Sequence, residues 1–118
     1  MKLFLNVKII ENSYDFKPGL TFQNVICTDL DNYSSPEVVA TALKAIEVSD
    51  SLFAYFELCE SSHSGSILKV IQVLISYKHP LQINYSGKSD SLEKLVSRLG
   101  GKPIKKDELE PAISSFFS

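Results

Sequence analysis

The residues with the clearest chemical potential lie together in ELCESSHSGSILKVIQVL, Glu57 to Leu74, where an apolar run gives way to small hydroxyl residues around one histidine. Ser61, Ser62, His63, Ser64, Gly65 and Ser66 form a turn that leads into a helical pattern. A helix start presents unpaired amides and a positive partial charge, so one serine must cap it while the others remain open to an anion or to phosphorylation. Glu57 and Glu60 flank the turn and could form an acid/base pair with each other or with His63. No Ser/His/Asp order is recognisable, and neither GxGxxG nor GxxxxGK[ST] occurs. The balance therefore favours a non-enzymatic module that needs no cofactor.

The other candidates for chemistry are isolated. Cys27 and Cys59 stand singly, without CxxC spacing or a histidine pair, and read as buried thiols kept reduced in a cytoplasm. His79 falls at a helix end, where its charge suits the dipole. The 118 residues suit a single domain, 44% apolar and 22% charged with a net charge of −2, as in a soluble globular protein. Lysines and arginines are scattered apart from Lys105-Lys106, which argues against a nucleic-acid partner. No run approaches the roughly 20 apolar residues of a membrane span, and the opening MKLFLNVKII reads as a strand.

Period-two alternation of Leu3, Leu5, Val7 and Ile9 predicts a first strand at 2–10, and LTFQNVICT predicts a second at 20–28. About nine residues would separate them, too few for a parallel crossover, so an antiparallel hairpin is expected. Ser35-Pro36-Glu37 starts a helix that reaches about Val48. The run SLFAYFEL at 51–58 is apolar enough for the middle of a sheet covered on both faces. A helix from Gly65 to Lys78 is apolar around most of its circumference, which leaves room for a homodimer contact. A strand at 80–85, a helix closed by Gly100-Gly101, a short KPI edge and a terminal helix over DELEPAISSFF complete the order ββαβαβα(β)α. This is a single α/β domain over 1–118 with a mixed sheet opened by the hairpin.

Taken together, the expected hairpin, DLDNYSSPEVVATALKAI, SSHSGSILKVIQVLISYKHPLQINY, LEKLVSRLGGKPI and DELEPAI resemble the STAS domain of bacterial anti-sigma-factor antagonists. Thr28-Asp29-Leu30-Asp31 stands at the place of that family's Gly-x-Leu-Asp signature, and Ser62-His63-Ser64-Gly65 at its Asp-Ser-Ser-Gly turn. Leu95 to Gly101 and Glu108 to Phe116 match its closing helices. The resemblance implies a switch module that docks on a kinase-like or scaffold protein through the turn and the next helix, with Ile67, Leu68 and Ile71 in contact. A phosphate would break that contact. His63 occupies the usual phosphoacceptor place, so Ser62 or Ser64 would take the phosphate.

The segment from Glu37 to Ile83 is also similar to nucleoside deoxyribosyltransferase-like domains, with Asp50, Gly65-Ser66 and Lys78-His79-Pro80 at matching places. The expected nucleophilic glutamate is Lys69 here. That resemblance implies a nucleotide-binding or sensing domain without transferase chemistry.

Overall fold

The computed structural model describes residues 1–10, 22–60, 65 and 67–118. Along the chain they form β1 (Lys2–Lys8), β2 (Ile26–Asp31), α1 (Pro36–Val48), β3 (Ser51–Leu58), α2 (Ile67–Ile75), β4 (Leu81–Gly87), α3 (Asp90–Arg98), β5 (Lys102–Pro103) and α4 (Lys106–Phe117). The architecture is α/β. Among the described residues the sheet has five strands in the order β2-β1-β3-β4-β5, and every neighbouring pair is parallel.

The expected hairpin and mixed sheet are therefore corrected. β1 and β2 pair in parallel, from Leu3 opposite Ile26 to Lys8 opposite Asp31. The physical reason is a break inside LTFQNVICT. Gln23 and Asn24 form a turn, with Asn24 in the left-handed region at φ 63°, so β2 begins only at Ile26. Residues 9–25 then separate the two strands, enough for the dozen or so that a parallel connection needs.

Other local signals act as their chemistry requires. Ser35 accepts the Val38 N–H at 3.3 Å and Pro36 opens α1, where its missing N–H costs nothing. β3 takes the central place in the sheet. One sheet face, with Leu3, Leu5, Val7, Leu52, Ala54 and Phe56, packs on Val39, Ala42 and Ile46 of α1 and on Val70, Ile71 and Leu74 of α2, with Leu92 and Val96 of α3 in the same cluster. The opposite face packs Phe4, Phe53 and Tyr55 on Leu109 and Ile113 of α4. α2 contributes Ile67, Val70, Ile71 and Leu74 to the core yet leaves Leu68 and Ile75 exposed. No helix among the described residues is long and apolar enough to cross a membrane.

Candidate functional site

From β1 the chain moves outward to β2 and then returns to the other side of β1 to lay down β3. The strand order reverses between β1 and β3. In open parallel sheets the carboxyl ends of the strands at such a point diverge into a crevice. The loops there are built from polar groups that hold one another.

Beyond β1, Ile10 donates its N–H to Asn32 Oδ1 at 2.8 Å, and Asn32 Nδ2 donates to the Ile10 carbonyl at 3.0 Å. Asn32 is buried, so this two-point bond ties the carboxyl ends of β1 and β2. Asp31 Oδ1 accepts the Tyr33 N–H at 2.7 Å, and Ser34 Oγ accepts the Asp31 N–H at 3.0 Å, which turns the chain into α1. Cys59, just after β3, donates its thiol to the Ile9 carbonyl at 2.8 Å. Glu60 Oε1 accepts the Asp90 N–H at 3.2 Å and so binds the loop after β3 to the start of α3.

Gly65 is the described residue of the hydroxyl-rich turn. Its φ is +53°, and a Cβ there would lie 2.2 Å from the Asn32 carbonyl oxygen. Gly65 therefore rests directly on the turn after β2, at a distance only glycine allows. Ser61, Ser62, His63, Ser64 and Ser66 lie outside the described residues. Of the three expected contact residues, Ile67 and Ile71 are buried beneath α2 and Leu68 is 43% exposed. Glu60 caps α3, while Glu57 bonds elsewhere, to Lys106. His79 packs edge-on against Tyr77 before β4, so it belongs to the amino ends of the strands.

A second part of the site lies on the α4 face, and the sequence singled out only Glu57, Asp29 and Asp31 of it. Side chains alternate along a strand, and parallel register brings those of one face into rows across the sheet. The row Cys27, Phe4, Phe53 and Gln82 is mostly apolar and lies toward the amino ends. The next row is Asp29, Asn6, Tyr55 and Asn84, and the last is Asp31, Lys8, Glu57 and Ser86. A parallel sheet covered on both faces normally carries near-continuous apolar runs. Here one face turns polar over its last two rows, beside the point where strand order reverses.

These polar groups form a network. Asn6 Nδ2 donates to Asp29 Oδ1 at 2.9 Å. Tyr55 and Ser86 share a hydrogen bond of 2.5 Å between their hydroxyls. Burial pushes the Tyr55 phenol upward, partly offset by that bond. Lys106, the first residue of α4, lies 2.5 Å from Glu57 Oε1, and Lys8 lies 3.9 Å from Glu57 Oε2. The bond to Glu57 raises the Lys106 ammonium above its ordinary value.

Asn6 is 4% exposed, and its Oδ1 is a buried acceptor with no hydrogen-bond partner. A carboxylate only accepts, so Asp29 holds the amide with Nδ2 toward β2 and Oδ1 turned away from that bond. Leaving such an acceptor unmatched costs about 1–3 kcal/mol.

Sequence reading missed this floor because each strand contributes only two of its residues. The available signal was positional. Asn6, Lys8, Tyr55, Glu57, Asn84 and Ser86 are alternate residues near the ends of their strands. Among the described residues no group of three or more His, Cys, Asp or Glu is placed to hold a metal. In comparisons with known proteins, the chain matches no family model, no curated protein and no solved structure.

Proposed function

We propose that this chain is a nucleotide-binding, sensing domain without chemistry of its own. The observation that carries the reading is the pair of polar rows at the carboxyl end of a parallel sheet, beside the reversal of strand order. A nucleotide combines an anionic phosphate with hydroxyl and ring donors, and the crevice offers a counterpart to each. The start of α2 follows the Gly65 turn and favours an anion through its unpaired amides. The Asp29, Asn6, Tyr55 and Asn84 row offers hydrogen-bonding groups suited to a sugar or base.

Glu57 is the carboxylate best placed for acid or base work, yet two lysines engage it and hold its position. Lys69 stands where the deoxyribosyltransferase resemblance would require a nucleophile. Both features support binding rather than transfer. The test is titration of adenosine 5′-monophosphate into ¹⁵N-labelled protein. The expected result is saturable shifts at the amides of Ile10, Asn32 and Gly65; no shift at millimolar nucleotide refutes the reading.

A second reading follows the resemblance to anti-sigma-factor antagonists, in which α2 docks on a regulatory protein under control of phosphate on Ser62 or Ser64. The hairpin that opened that resemblance is replaced by parallel strands, but large apolar side chains on α1 and α2 favour some form of protein contact. Val38, Val48, Leu68 and Ile75 are 44%, 58%, 43% and 67% exposed, and α1 and α2 line a groove of about 650 Å³ that includes Leu43, Val73 and Tyr77. Sedimentation of the wild type and of a Leu68→Glu, Ile75→Glu variant separates the cases for self-association. A dimer lost in the variant supports it, and a wild-type monomer at high concentration removes the homodimer.

A further inference from the structure

We infer that Asn6 is a specificity residue of the crevice, its Oδ1 accepting a hydrogen bond from a donor on the sugar or base of the bound nucleotide. The inference rests on the nucleotide-binding reading and names the group that this reading leaves unassigned. Its basis is the one buried side-chain acceptor without a partner among the described residues, set in a row of polar side chains next to the crevice.

The orientation of the amide is determined by its surroundings. Were it flipped, Oδ1 would face the Asp29 carboxylate at hydrogen-bond distance and two acceptors would repel. Tyr55 is the residue opposite Asn6 on β3 and already shares its hydroxyl hydrogen bond with Ser86. The Glu57 and Lys106 ion pair lies one row beyond Asn6 toward the carboxyl ends of the strands, so a ligand entering from those ends would have to part it. The Lys106 side chain is 72% exposed, so solvent screens the pair and parting it is easy.

A ribose hydroxyl and an exocyclic base amine are both donors of the required kind. A site whose buried acceptor is matched by a ligand donor discriminates against an analogue lacking that donor, because the acceptor is then left unpaired. The expected penalty is about tenfold or more in affinity.

The test compares adenosine 5′-monophosphate with its 2′-deoxy analogue and with purine riboside 5′-monophosphate, which lacks the amino group, on wild type and Asn6→Leu. The expected result is at least about tenfold weaker binding of one analogue to the wild type, with that difference lost in Asn6→Leu; which analogue weakens identifies the donor. Because the variant could fold poorly, the Asn6 side-chain NH₂ resonances of the wild type are followed in the same titrations and should shift on saturation. Equal affinity for all three nucleotides, with unmoved Asn6 resonances, overturns the inference and leaves nucleotide binding intact. If none of the three binds, both readings fall.

Discussion

Replacing Gly65 with alanine tests whether this residue is held against the turn after β2. Two costs add. An L-residue at φ +53° carries about 1–2 kcal/mol of backbone strain. The new Cβ would also stand 2.2 Å from the Asn32 carbonyl oxygen, more than 1 Å inside the roughly 3.3 Å at which carbon and oxygen normally meet. Asn32 cannot retreat freely, because its side chain holds both the N–H and the carbonyl of Ile10. Losing one of those buried bonds costs about 1–3 kcal/mol, so the total is about 2–5 kcal/mol. Gly100→Ala is the internal control: its φ is +89° but nothing lies within 4 Å of the added Cβ, so only the strain applies. Urea titration should show Gly65→Ala with the lower midpoint and an unchanged slope. If the two variants lose equal stability, the close packing of Gly65 on Asn32 is refuted.

Two further predictions concern the two faces of the sheet. Burial holds the Tyr55 phenol above its ordinary 10.0. At pH above 10 the folded chain then keeps a proton that the unfolded chain releases, and stability falls as pH rises. Lys106 acts in the same direction, because its contribution is complete below the unfolded value of 10.5 and is lost as pH climbs through the raised folded value. The urea midpoint should therefore decline between pH 9 and 11, less steeply in Tyr55→Phe; an identical slope in that variant refutes the assignment to Tyr55. On the other face, Ile71→Ala should cost about 2–5 kcal/mol as a buried deletion. Leu68→Ala, at 43% exposure, should cost well under half as much, and equal losses would contradict the placement of α2.

Much of this fold was legible because its signals are local. Ser35 and Pro36 start α1 through contacts within one turn, and SLFAYFEL is largely apolar on both faces because helices cover β3 from both sides of the sheet. The direction of β2 was not legible, since a turn at Gln23 and Asn24 displaces the start of the strand to Ile26. Asn24 reads as an ordinary polar position of an alternating strand, and its left-handed backbone is what ends that pattern and lengthens the connection. The site divides along the same line. Gly65 announces a tight turn by its type alone, whereas its contact with Asn32 joins segments far apart in the chain.

Asn6, Asp29, Tyr55 and Asn84 show why such a site escapes a linear reading. Each is one polar residue in its own strand, and separately each is compatible with an exposed face or a capped end. Parallel register alone puts them side by side, so the error about the hairpin also hid the row. An antiparallel β2 would run the other way past β1 and would not align the carboxyl ends of the two strands. Asp29 would then lose its place opposite Asn6, and with it the bond that orients the amide. The direction of one edge strand thus decides whether Asn6 is an ordinary buried amide or an oriented acceptor, and the nucleotide proposal depends on that geometry more than on any motif in the serine-rich turn.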